Sequence, residues 1–172
     1  MACQCSIDAI DRECGANASG VKPVLAISCE DEVDSIAASV DHSVATINMR
    51  AAAVGPPAVT KGYFRLWYPS SRGGDFSATQ DAESGTWKTE CKFFIPKQTS
   101  AKAVVLNGLG EDNNICVVTD KNGKRRIVGE LENPANVVTK EVVLPKNGYE
   151  VTITWESAHS PYFFTGTLDT SP

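Results

Sequence analysis

Tyr149-Glu150-Val151-Thr152-Ile153-Thr154-Trp155-Glu156 is the stretch that decides the fold class. Tyr149, Val151, Ile153 and Trp155 share one parity, while Glu150, Thr152, Thr154 and Glu156 share the other. An extended chain sends alternate side chains to opposite faces, so this is a half-buried strand with one wet face. Lys146-Asn147-Gly148 precedes it, and Asp120-Lys121-Asn122-Gly123-Lys124 separates two further apolar runs. Asn-Gly accepts the positive φ angles of a tight turn, so each pair predicts a hairpin.

Upstream, Trp87, Thr89, Cys91, Phe93 and Ile95 alternate with Lys88, Glu90, Lys92 and Phe94 until Pro96 closes the run. Further strands are predicted over 21–28, 43–49, 62–68, 115–119, 125–129, 137–144 and 162–168. One helix is expected directly after Pro96: Thr99 or Ser100 caps it, Ala101, Val104 and Val105 form its apolar stripe, and Gly108 and Gly110 stop it. The expected fold is therefore mainly β, a β-sandwich or open barrel with one flanking α-helix. Residues 1–20 carry no periodicity and predict an N-terminal arm, leaving 21–172 as a single domain. The polar segment 70–85 predicts a long inter-strand loop of the kind that binds or assembles. Glu30-Asp31-Glu32-Val33-Asp34 reads as a solvated loop, and the consecutive prolines Pro56-Pro57 exclude 51–60 from a central strand.

A chain of 172 residues is large enough to bury a core without disulfides or metal. Its net charge of −5 argues against non-specific nucleic-acid binding through bulk electrostatics. No apolar run is long enough to span a bilayer, so no membrane anchoring is expected. Residues 1–6 have neither a basic nor an apolar signal region, and folding in a reducing cytosol is the expectation. Six cysteines are present. Cys3, Cys5 and Cys14, with Cys29 or His42, are the only metal-ligand grouping, but Cys-x-Cys is the wrong spacing for a zinc knuckle. Free thiols are expected, with disulfides formed after release from the cell as the alternative. Cys91 and Cys116 read as small core hydrophobes.

Catalytic patterns are missing. His42 and His159 sit in no ligand or base motif and read as solvated loop histidines. There is no nucleophile elbow or zinc-protease helix, and Asn107-Gly108-Leu109-Gly110 follows the helix, the wrong end for an anion cradle. No enzyme and no cofactor are expected. Lys124-Arg125-Arg126 is a small basic cluster beside a hairpin turn; with acidic residues elsewhere it suggests a salt contact between subunits, with contact to nucleic acid as the alternative.

The order of elements over 60–168 resembles the major tail tube proteins of long-tailed bacteriophages. The matching pieces are the aromatic run 62–68, the loop 70–85, the strand 87–95, the helix 99–109, the hairpin 114–129 and the strand 149–156. The phrases Asp120-Lys-Asn-Gly-Lys-Arg-Arg-Ile-Val-Gly-Glu130 and Asn147-Gly-Tyr-Glu-Val-Thr-Ile-Thr-Trp-Glu-Ser157 are similar to structural proteins of phages and prophages from Bacteroidetes-type hosts. A cysteine-bearing arm is not part of that pattern. The resemblance implies a homo-hexameric ring with a continuous inner β-barrel. Rings stack into a tail tube, assembled in the bacterial host cytoplasm, through which DNA leaves without specific binding. It implies other tail proteins as partners. It also implies a lumen lined by Lys88, Glu90 and Lys92 or by Glu150, Thr152, Thr154 and Glu156. The loop residues Arg72, Asp75, Phe76, Asp81 and Glu83 become contacts between rings. Alternative readings are another virion β-protein (tail terminator, base-plate tube initiator or capsid decoration protein) or a monomeric glycan- or protein-binding β-sandwich that exposes Trp67, Trp87 or Trp155.

Overall fold

The computed structural model describes residues 25–39, 41–53, 59–67, 69, 74–109, 113–119, 123–143 and 147–171. The chain runs through β1 (Leu25–Cys29), a 3-10 turn (Glu30–Glu32), β2 (Val33–Ala38), β3 (Ser43–Met49), β4 (Arg65–Trp67), β5 (Gly74–Gln80) and β6 (Trp87–Pro96). It continues through α1 (Ser100–Asn107), β7 (Asn114–Thr119), β8 (Arg125–Val128), β9 (Asn136–Val142), β10 (Gly148–Ser157) and β11 (Phe163–Phe164). Two sheets result: a four-stranded one in the order β5-β6-β10-β9 and a seven-stranded one in the order β2-β3-β11-β8-β7-β1-β4. The fold is thus mainly β, a sandwich-like pair of sheets with one helix.

Alternation sets what each strand buries. In β6 and β10 the inward parity supplies Cys91, Phe93, Ile95, Val151, Ile153 and Trp155 to a core shared with Leu25, Ile27, Trp67, Cys116 and Val118 of the larger sheet. Helix α1 adds Val105 and Leu106, and Leu109 just beyond it joins them. The opposite parity of β1, β7 and β8 (Ala26, Ile115, Val117, Ile127) enters a second cluster with Val33, Val44, Ile47, Phe64 and Phe164. β1 is consequently buried at every position. A strand covered on both faces has no wet parity, which is why 25–29 and 115–118 read as unbroken apolar runs.

Several expectations are corrected. Residues 74–80 form β5 inside the segment read as loop, because only Phe76 and Ala78 face inward and the remaining Asp, Ser and Thr side chains mask the strand period. The helix begins as expected, with the Thr99 side chain accepting from the Lys102 amide, but Ala101 and Val104 lie on its exposed side, and Leu106 joins Val105 in the core. Of 162–168 only Phe163–Phe164 is strand, and among the described residues 62–67 only Arg65–Trp67. Gly123 has the positive φ of 74° expected of an Asn-Gly turn. Gly148 does not: it is the first residue of β10, and a side chain there would run into the Ile95 carbonyl and the Phe94 ring. Its glycine serves close approach rather than turn geometry. Residues 1–20, 120–122 and 144–146, on which the arm and parts of the expected turns fall, lie outside the described residues.

The acidic run is also reassigned. Glu32 is buried and forms an ion pair with buried Arg65, whose Nη2 donates to Oε1 at 2.9 Å and whose Nη1 donates to Oε2. The Ser28 hydroxyl donates to Glu32 Oε2 at 2.9 Å, and the guanidinium stacks 4.1 Å from the Tyr63 ring centroid. Burial alone would pull the Arg65 pKa down, but the hydrogen bonds and charge of Glu32 outweigh it and hold the group above its ordinary value. Removing one member of such a pair leaves a buried charge without a counterion. Arg65→Met should therefore cost about 3–5 kcal/mol in urea unfolding, and Glu32→Leu with Arg65→Met together much less. Equal losses in the single and double variants would show that the pair is not what holds β4 to the 3-10 turn.

Candidate functional site

The polar parities of β5, β6, β9 and β10 converge on one surface. Register aligns Asp75, Lys92, Thr152 and Val138 in one row, and Ser77, Glu90, Thr154 and Asn136 in the next. Thr79, Lys88 and Glu156 form a third row, and Phe94, Glu150 and Lys140 a fourth. The Lys88 set and the Glu150 set, read from sequence as alternatives, are thus two halves of the same face. Lys140 and Val138 belong to it as well, and Asp75 joins it instead of a loop. Their parity in 137–144 was visible in sequence, but the pairing of β9 with β10 was not.

Three amines (Lys88, Lys92, Lys140) face four carboxylates (Asp75, Glu90, Glu150, Glu156) here. Lys92 Nζ lies 2.8 Å from Glu90 Oε1, and Lys88 Nζ lies 3.4 Å from Asp81 Oδ2. Exposed pairs of this kind add little stability. Their effect is on the field: Lys92 and Lys88 are each screened by a neighbouring carboxylate. A shallow cleft of about 700 Å³ lies on this face, lined by Ser77, Thr79, Lys88, Glu90, Glu132 and Thr154 among others.

Asp81 and Glu83 occupy the β5–β6 turn. The Glu83 and Ser84 amides donate to Asp81 Oδ1 at 2.9 and 3.2 Å, an Asx-type closure. Those two backbone bonds, with a smaller part from Lys88, hold the Asp81 carboxyl below its ordinary 3.8. Phe76 points into the sandwich, with the Arg126 guanidinium 5.0 Å from its ring centroid. Arg72 lies outside the described residues.

The edges of the two sheets differ. In the seven-stranded sheet, β2 carries register shifts at Val33/Ser35 and Ala37/Ala38, and β4 is three residues long. Bulges and shortness are two ways of blunting an edge against further pairing. In the four-stranded sheet, β5 and β9 are each seven residues long, contain no proline and pair without a register shift. Among the described residues, each is paired on one side only.

Other sequence candidates resolve differently. Arg125 donates to the Gly166 carbonyl at 2.6 Å, and the Arg126 guanidinium lies 5.0 Å from both the Phe76 and the Phe163 ring centroids, so these cations are engaged within their own chain. His159 is not a solvated loop histidine: its Nε2 is 2.9 Å from Glu130 Oε1, and its ring packs on Tyr162 and Trp155. His42 joins this cluster, with Nε2 2.7 Å from the Ser160 hydroxyl. The contact links residues 118 apart in sequence, and no local spacing announces it. Trp67 and Trp155 are buried, Trp155 donating to the Asn133 carbonyl at 2.8 Å.

Cys91 and Cys116 carry free thiols in the inter-sheet core. Burial, with a smaller contribution from Asp75, pushes Cys91 up to about 12, and burial raises Cys116 further. Cys29 is disulfide-bonded, which overturns the expectation of a free thiol there. Pairing follows proximity in the fold, which cysteine spacing does not encode. Cys3, Cys5 and Cys14 lie outside the described residues. Among the described residues no three His, Cys, Asp or Glu side chains gather as metal ligands would.

Comparison with known protein families, curated proteins and solved structures gives no match to this chain. The fold and the face define a class, a two-sheet β protein with one open-edged, polar-faced sheet.

Two measurements check the chemistry of this surface and the core beneath it. The Glu83 and Ser84 amide resonances should titrate with a midpoint below 3.8, because a depressed carboxylate keeps its bonds until pH falls through its folded value. A midpoint at or above 3.8 contradicts the closure. Alkylation with a maleimide should leave Cys91 and Cys116 unmodified in the native protein and modify both in guanidinium, since the neutral buried thiol is inert. Labelling of either under native conditions contradicts the packing described.

Proposed function

We propose that this chain is a structural subunit that assembles with copies of itself by continuing its four-stranded sheet. The particular role we propose is that of a major tail tube protein of a long-tailed phage. Hexameric rings would stack, with other tail proteins at the ends, into the conduit for DNA in the virion tail.

The observation that carries this reading is the pair of open seven-residue edges on one sheet. β5 and β9 run in opposite directions because three antiparallel junctions separate them. Rotation about an axis roughly along the strands keeps every copy pointing the same way. It brings β5 of the next copy antiparallel to β9, and each joint leaves an identical edge for the following one. Such a head-to-tail contact closes into a ring when the rotation closes. The blunted edges β2 and β4 take no part.

The polar face suits a bore. Carboxylates and hydroxyls repel or ignore phosphate, while Lys92 and Lys88 are screened by Glu90 and Asp81. An electrostatically quiet wall lets DNA slide. The burial of Trp67 and Trp155 weighs against a sugar-stacking groove at those residues.

Sedimentation velocity and negative-stain microscopy of the purified protein at its highest soluble concentration test the reading. Hollow tubes with an axial repeat are expected. Single rings that never stack would favour a tail terminator, and a monomer under all salt conditions would overturn self-assembly.

A further inference from the structure

We infer that the joint between copies has one register, in which Lys140 of one copy lies directly opposite Asp75 of the next. This inference rests on the ring reading above and adds to it a specific pair of residues.

Period-2 alternation limits the choices. The polar parity of β9 (Asn136, Val138, Lys140) must meet the polar parity of β5 (Asp75, Ser77, Thr79), so the register can change only in steps of two residues. Within one chain the row Asp75-Lys92-Thr152-Val138 runs straight across the sheet. Continuing it unshifted sets Val138 against the next Asp75. It aligns only 74–77 with 139–136 and leaves the remainder of both edges unpaired. A shift that shortens the overlap further pairs still less.

A shift of two residues in the other sense aligns 74–79 with 141–136. The polar face then pairs Asp75 with Lys140 and Ser77 with Val138. The inward face pairs Phe76 with Thr139 and Ala78 with Val137, which extends the core across the joint. A shift of four residues aligns 75–80 with 142–137 at equal length, but it sets Glu141 against Phe76 on the inward face and moves Lys140 to Ser77. Charge and apolar matching both select the two-residue shift. Closing a sheet into a barrel requires such a stagger, here about 7 Å along the strand. Asp75 and Lys140 are both exposed, and among the described residues neither holds an ion pair within its own chain.

Directly opposed residues in an antiparallel pair bring their Cβ atoms to about 4.5–5.5 Å, close enough for a disulfide to report the register. Three double variants separate the registers: Asp75→Cys/Lys140→Cys, Asp75→Cys/Val138→Cys and Ser77→Cys/Lys140→Cys. All of these positions are exposed, so the core is untouched. After mild oxidation, a non-reducing denaturing gel should shift from monomer to a ladder of multimers for the first variant alone. A ladder from either of the other two overturns the Asp75–Lys140 pairing while leaving ring assembly intact. Assembly seen in sedimentation without a ladder from any variant also overturns it. Wild-type protein that stays monomeric in the same sedimentation run overturns the ring reading itself.

Discussion

A strand at the rim of a sheet carries backbone donors and acceptors along one side that must go to water, to a cover or to another strand. This protein meets that demand in two ways. On the seven-stranded sheet, β2 is kinked by register shifts and β4 is cut to three residues, with the Phe64 amide beside it donating to the Asp169 carbonyl. On the four-stranded sheet, β5 and β9 are each seven residues long and pair without a register shift. The proposed assembly follows from that difference more than from any single side chain.

The rest of the molecule packs behind the open sheet. β1 and β7 are covered on both faces, so they anchor two cores at once. The inward side chains of β6 and β10 interlock with one of those cores, and α1 packs Val105 and Leu106 against the same layer. The buried Glu32–Arg65 pair joins the 3-10 turn to β4, with Ser28 and Tyr63 completing its contacts. A surface proposed to meet copies of itself in a fixed register gains from so well packed a backing, because a one-residue slip would turn every inward side chain outward.

Much of this was readable from residues alone, and the exceptions have physical reasons. β10, β6 and β3 follow clean alternation or strong β-branched content, and the helix follows its Thr99 cap. β5 was hidden because an edge strand with only Phe76 and Ala78 turned inward looks like loop composition. Glu32 looked solvated because its partner, Arg65, is supplied by a strand 33 residues away. The meeting of His42 with His159, like the bonding of Cys29, depends on long-range proximity. The polar face was half legible: each strand's wet parity could be read, but not that the parities of four strands share one surface. That required the sheet order.

Backbone hydrogen exchange measured across a range of protein concentrations tests the central claim most directly. The account predicts that amides of β5 and β9 gain protection as concentration rises, while those of β2 and β4 do not change. Protection at β5 and β9 that is independent of concentration, or a gain confined to β2 and β4, would contradict it.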